Sequence, residues 1–221
     1  MSSLRDSSRI VIAGASSLLG TELKSLLEES RFAGWDLSLV DEETAAGRLT
    51  EAAGEAAVIQ AIDEDTFARA RLVFFAGSRS FTLANLPAAL HSGAKVLDLS
   101  GMPADREASC PWFPQLPGKA LYFSPNGKMY TVLSAQAVSA ALLSLALKNV
   151  GLRRLFVTHF RPVSETGQMG IDELEGQTSQ LLSFQPIGSP VFGTQTAFTL
   201  LNRFGPASQN DLMAEVEGIR S

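Results

Sequence analysis

Arg9-Ile-Val-Ile-Ala-Gly-Ala-Ser-Ser-Leu-Leu-Gly20, in one-letter code RIVIAGASSLLG, decides the fold of this chain. Arg9 to Ala13 is a short apolar run rich in β-branched residues and closed by Gly14, which fits a strand buried on both faces of a parallel sheet. A glycine-bounded turn comes next. Then comes TELKSLLEES, where Leu19, Leu23, Leu26 and Leu27 fall at helical spacing. Strand, glycine turn and helix in that order open a βαβ unit.

The same alternation continues downstream. Gly34 and Trp35 end the crossover, and Asp36 to Val40 (DLSLV) reads as the second strand. Asp41 to Gly54 is polar and small and reads as loop, while Ala57 to Ile62 alternates weakly enough for a strand. Ala70 to Ala76 (ARLVFFA) is another buried strand, stopped by Gly77. Phe81 to Ser92 reads as a helix, Lys95 to Leu99 as a strand, and Gly101 to Pro117 as an irregular segment. Leu121 to Phe123 is a short strand leading through SPNGKMY into a long apolar helix, Thr131 to Leu147. Strands alternating with helices predict a doubly wound α/β sheet with right-handed crossovers. After Asn149 the pattern changes: Arg154 to Phe160 is strand-like and Gly170 to Leu182 an amphipathic helix. A Pro/Gly loop (Phe184 to Pro190), a strand-like TAFTLL and a terminal helix complete the chain. The expected domains are residues 1–130 and an α+β domain at 131–221.

Composition narrows the function. The 45% apolar content is ample for a packed core, and the net charge of −5 argues against a nucleic-acid or anionic-membrane surface. No apolar run reaches the roughly 18 to 20 residues that span a bilayer, and nothing before Arg9 resembles the apolar core of a signal peptide. A cytoplasmic location is therefore expected. One cysteine, Cys110, and two histidines, His91 and His159, leave neither a disulfide framework nor the makings of a metal site.

From about Ile10 to its last residue the sequence resembles the aspartate-semialdehyde dehydrogenase family. GASSLLG looks like that family's GATGxVG phosphate loop, VFFAGSRSF like its strand and loop ending in SAGG, and KVLDLSG like VIDNSS. SPNGKMY resembles the NPNCST segment that carries the nucleophile. FRPVSETGQMGIDELEGQT resembles the YQxVSGxGxxGxEELxxQT strand and helix, and FGTQTAFTLLN resembles FxxQIAFNVIP. The resemblance implies a Rossmann-type NADP-binding domain, a second catalytic and dimerisation domain, homodimers, and an oxidoreductase role in amino-acid biosynthesis. It also implies the reduction of an acyl phosphate to an aldehyde through a thioester on an active cysteine.

The chain departs from that pattern where the chemistry lies. Gly127 stands at the nucleophile position, and glycine has no side chain with which to attack. Arg161 stands at the helper-glutamine position. The family's histidine base and substrate-binding arginine correspond to positions beyond residue 221, so the sequence reads as naturally shortened or as part of a larger product. Cys110, in Ala-Ser-Cys-Pro-Trp, reads as an idle loop thiol, and Glu217 as an exposed helical glutamate. No catalytic residue is assigned.

The cofactor-binding candidates are Gly14, Ser16, Ser17, Leu18, Leu19, Gly20, Asp41, Ala76, Gly77 and Ser78. Gly14 and Gly20 fill the first and last glycine places, while Ser17 takes the middle one. There its hydroxyl can donate to a phosphate, although its Cβ obstructs close approach. The competing reading is that the loop only makes a tight turn. Asp41 and Glu42, at the end of the second strand, suit a ribose diol and repel a 2′-phosphate, favouring NAD over NADP. Arg79, Lys128 and Arg161 are candidate anion-binding groups, weighed against solvated or salt-bridged surface cations. The stripe Val132, Ala135, Val138, Leu142 and Leu145 reads as core, and Trp35 and Trp112 as packing residues. Three functions remain open: a nucleotide-binding homologue without thioester chemistry, a structural subunit dimerising through the second domain, and a dehydrogenase using Cys110.

Overall fold

Arg9–Ala13 is β1 and lies in the interior of a seven-stranded sheet. The computed structural model describes residues 8–52, 54–101, 109–112, 128–151 and 153–208. In chain order the elements are α1 (Leu18–Glu28), β2 (Asp36–Asp41), β3 (Leu49–Ala52), β4 (Glu55–Val58), β5 (Gln60–Ala61) and β6 (Ala70–Phe75). They continue with α2 (Arg79–His91), β7 (Lys95–Asp98), β8 (Cys110–Trp112), β9 (Met129–Val132), α3 (Ala135–Ala146) and α4 (Gln168–Leu182). The main sheet runs β5-β2-β1-β6-β7-β9-β8, and every pairing in it is parallel. This is the doubly wound α/β architecture that the sequence predicts.

Each strand of the sheet's centre is apolar on both faces because helices cover both. Val11, Ala13, Val40, Val73, Phe75 and Val96 pack on one face with Phe81 and Ala89 of α2. Ile10, Ile12, Leu39 and Phe74 pack on the other with Leu23 and Leu27 of α1. Burying each of the valine, leucine, isoleucine and phenylalanine side chains among them contributes about 1.5–3 kcal/mol. Only part of the predicted leucine stripe of α1 turns inward: Leu27 is buried, whereas Leu19 and Leu26 face solvent.

Several local expectations need correction. The Asp41–Gly54 loop contains β3, which forms an antiparallel hairpin with β4, and the single strand expected over Ala57–Ile62 is split between β4 and β5. Alternation along these residues is too weak to distinguish a two-stranded ribbon from loop. Cys110 lies on strand β8, not in a loop, paired with Tyr130 of β9. The long helix expected from Thr131 begins instead at Ala135, capped by the Ser134 hydroxyl, because Met129–Val132 pairs with β7 and β8. Val132 of the supposed helical stripe is therefore a strand residue, and Leu142 is exposed. The short strand expected at Leu121–Phe123 and the terminal helix lie outside the described residues.

The chain forms two compact units, residues 1–133 and 134–221. In the second, α4 anchors the loop at its C-terminal side. Gln177, 1% exposed, accepts from the Thr196 and Ala197 N–H groups and donates to the Gly188 and Thr194 carbonyls. Residues 154–160 run without strand pairing among the described residues, and TAFTLL is a turn with Phe198 at φ 59°. Both were expected as strands; their β-branched and aromatic residues carry strand propensity, but no neighbouring strand among the described residues realises it.

Candidate functional site

Sheet order reverses direction between β1 and β6, because β1 leads to β2 on one side while β6 and β7 extend the other. Such a switch point opens a crevice at the carboxyl ends of the strands, where α/β sheets take ligands. Here the loops after β1 and β6 form its floor. Gly14 sits at φ 93°, and a Cβ on it would lie 2.2 Å from the Gly77 nitrogen. A Cβ on Gly20 would lie 2.3 Å from the Gly14 carbonyl oxygen. Glycine is demanded at both places by close backbone packing.

Ser17 caps α1. Its hydroxyl oxygen accepts the Gly20 N–H at 2.8 Å and donates its hydrogen to the Ala76 carbonyl at 2.8 Å. Its one hydrogen is directed to the Ala76 carbonyl, so donation to a phosphate requires that bond to break. Most of the loop's N–H groups are committed as well. Gly14 and Ala15 both donate to the Val40 carbonyl, Ser17 to that of Gly14, and Ser16 to the Asp41 carboxylate. Leu18 and Leu19 lie in the first turn of α1, where N–H groups have no intrahelical acceptors.

Asp41 and Glu42 end β2 with different orientations. Asp41 is 7% exposed; one oxygen accepts the Ser16 N–H at 2.7 Å and the other the Glu42 N–H at 2.8 Å. Glu42 is exposed, and its carboxylate lies 3.4 Å from the Ser78 hydroxyl. Ser78 caps α2 by accepting the Phe81 N–H, and Ala76 is buried at the end of β6, its N–H bonded to the Ala13 carbonyl. Sequence reading singled out Ser78 for proximity to cofactor; its capping role is legible from Ser-x-x before the apolar Phe81.

Further along the sheet, Asp98 ends β7 fully buried. One of its oxygens accepts both the N–H and the hydroxyl of Ser100, at 2.9 and 2.6 Å. Among the described residues the other has no hydrogen-bond partner, nor does the buried hydroxyl of Thr131, its register neighbour on β9. Asp98 was not singled out from the sequence, although Asp followed two residues later by Ser is a signal for a side-chain-bonded turn. Arg79 is exposed, with its guanidinium 3.8 Å from where a Cβ on Gly101 would stand.

Lys128 precedes a strand instead of opening a helix. Its side chain is exposed, and its carbonyl accepts the Val96 N–H. Gly127 lies outside the described residues. Cys110 is half-buried beside Tyr130, and burial, with a smaller contribution from Cys110, pushes the Tyr130 phenol above its ordinary pKa of 10.0. In the second unit Arg161 forms an ion pair with Glu165, whose other oxygen accepts the Gln136 amide. That partner makes Arg161 a poorer anion-binding group than its sequence position suggests, since an incoming anion competes with a carboxylate already in place. Among the described residues there is no cluster of metal-ligating side chains and no helix long and apolar enough to cross a membrane.

Comparison with known proteins agrees with this architecture. Residues 9–109 match the NAD-binding domain of the semialdehyde dehydrogenases. A USG-1 protein homolog of Azotobacter vinelandii is 32% identical over 204 residues, covering 89% of this chain and 58% of that protein. Aspartate-semialdehyde dehydrogenase 2 of Vibrio cholerae is 26% identical over 211 residues, covering 93% of this chain and 61% of that one. Among solved structures, a probable aspartate-semialdehyde dehydrogenase from Pseudomonas aeruginosa superposes with a TM-score of 0.82 at 26% identity, over 96% of this chain and 64% of its own. The chain thus spans about three fifths of the length of these relatives.

Proposed function

We propose that the chain, whose residues 9–109 match the NAD-binding domain of the semialdehyde dehydrogenases, is a nucleotide-binding member of that family that favours NAD over NADP and lacks thioester chemistry. The observation that carries the nucleotide reading is the β1–α1 loop. Its two uncommitted N–H groups, at Leu18 and Leu19, stand at the positive end of α1, an arrangement that suits a phosphate. The remaining contacts are assigned to Gly14, Ser16, Gly20, Ala76, Gly77 and Ser78, at the β1–α1 turn and the end of β6.

Two carboxylates at the end of β2 support the preference for NAD. A ribose diol donates hydrogen bonds to an acid, whereas a 2′-phosphate placed beside Asp41 and Glu42 is repelled. The absence of thioester chemistry rests on Gly127 at the nucleophile position. Residues 1–130 act in this reading as the dinucleotide-binding domain, and residues 131–221 as part of a dimerisation domain. The second role is supported by the extended segment 154–160, where Phe156 is 84% and Phe160 75% exposed. A homodimer would cover them.

A thermal-shift titration with NAD, NADP, ADP and phosphate tests the nucleotide reading. Ligand at about 100 times its Kd adds roughly 2.7 kcal/mol of stability, a shift of several degrees at this size. A shift with NAD exceeding that with NADP is expected. No shift with any of the four would overturn nucleotide binding and leave the scaffold reading, which sedimentation velocity of the full chain then tests.

A further inference from the structure

We propose that Ser17 is the residue that limits nucleotide affinity in this chain, acting as a latch that holds the phosphate loop shut against the end of β6. The proposal rests on the nucleotide-binding reading and adds what sets the strength of that binding. A glycine at the middle place of such a loop lets a pyrophosphate approach the helix N-terminus closely. Ser17 changes that place in two ways. It adds a Cβ and an Oγ where glycine has neither, and its Oγ takes the Gly20 N–H, a third first-turn donor.

The side chain is not at liberty to swing aside. Its hydroxyl spans the crevice to the Ala76 carbonyl, 59 residues along the chain, at 2.8 Å. With Gly14 packed on Gly77 directly beneath, the two crevice loops are joined by a backbone contact and a side-chain bond at the same level. A phosphate that takes the Gly20 N–H competes with the Ser17 Oγ for it. The latch therefore trades ligand affinity for a fixed loop.

The test is a titration of NADH fluorescence, with thermal shift in parallel, on the wild-type chain, Ser17→Ala and Ser17→Gly. Alanine removes both bonds and keeps the Cβ; glycine removes the Cβ as well and remains an acceptable helix cap. Affinity is expected to rise in the order Ser, Ala, Gly, by about tenfold overall, the net worth of one to two hydrogen bonds. Binding seen only in the variants supports the latch equally. Unchanged or weaker binding in both variants, with the wild type still binding, overturns the latch; weaker binding further marks the Ser17 hydroxyl as a phosphate donor. Binding by none of the three overturns the nucleotide reading itself, and the latch with it. Should Ser17→Gly fail to fold, Ser17→Ala carries the comparison.

Discussion

The Asp41 carboxylate accepts the Ser16 backbone N–H at 2.7 Å, joining the end of the second strand to the loop after the first across 25 residues of sequence. Its other oxygen takes the Glu42 N–H, so one buried side chain fixes two turns at the crevice. A carboxylate in this position is a structural clamp and, in the proposed function, also the acid that meets the ribose.

Replacing it separates those roles. Asp41→Asn turns one acceptor into an amide donor, which faces a backbone N–H on either side. A buried donor left without an acceptor is expected to cost about 1–3 kcal/mol, read as a lowered midpoint in chemical denaturation. Glu42→Gln, at an exposed side chain, is expected to leave the midpoint within about 0.5 kcal/mol while narrowing the preference for NAD over NADP. If Glu42→Gln leaves the ratio of the two affinities unchanged, Glu42 has no part in cofactor choice.

Gly14 admits no side chain. At φ 93°, with the Gly77 backbone 2.2 Å from the site of a Cβ, Gly14→Ala is strained in its own dihedral and in collision with a second loop. Destabilisation of roughly 3 kcal/mol or more is expected, measured by thermal unfolding. Gly47, at φ 84° with nothing within 4 Å, is the control: its Ala variant bears only the dihedral strain and should lose roughly 1–2 kcal/mol. Equal losses at the two sites would contradict the inferred packing of Gly14 on Gly77.

How much of this was legible in the sequence depends on how local the signal is. β1, α1, β6 and β7 announce themselves through contiguous apolar runs closed by glycine or turn residues, and the glycine-bounded loop places the crevice between β1 and β6. The commitments made by the side chains there are not legible, because they depend on residues distant in sequence. Ser17 is paired with Ala76 and Asp41 with Ser16 only once the strands are in register. The same is true of β9: Thr131 and Val132 read as the start of an apolar helix, and Met129 and Tyr130 as the segment leading into it, until β7 and β8 claim all four on either side. In the second unit, strand propensity at residues 154–160 and in TAFTLL has no partner to act on among the described residues.

Gln177 is the residue on which the second unit's loop depends. Its amide oxygen accepts from the Thr196 N–H, the Thr196 hydroxyl and the Ala197 N–H, and its amide nitrogen donates to Glu173, Gly188 and Thr194. Gln177→Leu keeps the volume and removes every one of these bonds, leaving two buried N–H groups without acceptors. Destabilisation of about 3 kcal/mol is expected at 1–3 kcal/mol for each group. Hydrogen exchange should quicken first at Thr196 and Ala197. Exchange unchanged at both amides would show that the loop is held by other contacts.

Tyr130 gives the chain a dependence on alkaline pH. Its phenol is buried on β9 against Trp112, with ring centroids 5.6 Å apart, and burial raises its pKa above 10.0, Cys110 adding a smaller push in the same direction. The folded state therefore holds the proton more tightly than the unfolded chain does. The corresponding stability is fully present below about pH 10 and is lost as pH rises through the folded-state value. Unfolding free energy, measured from about pH 9 upward, should fall with a slope that Tyr130→Phe removes. Phenylalanine keeps the ring on Trp112, so any hydrogen bond lost with the hydroxyl displaces the curve without restoring that slope. Absorbance at about 295 nm separates this residue from Tyr122, the other tyrosine: Tyr130→Phe should abolish a titration lying above the ordinary phenol range. An unaltered alkaline slope in the variant would assign the pH dependence to another group.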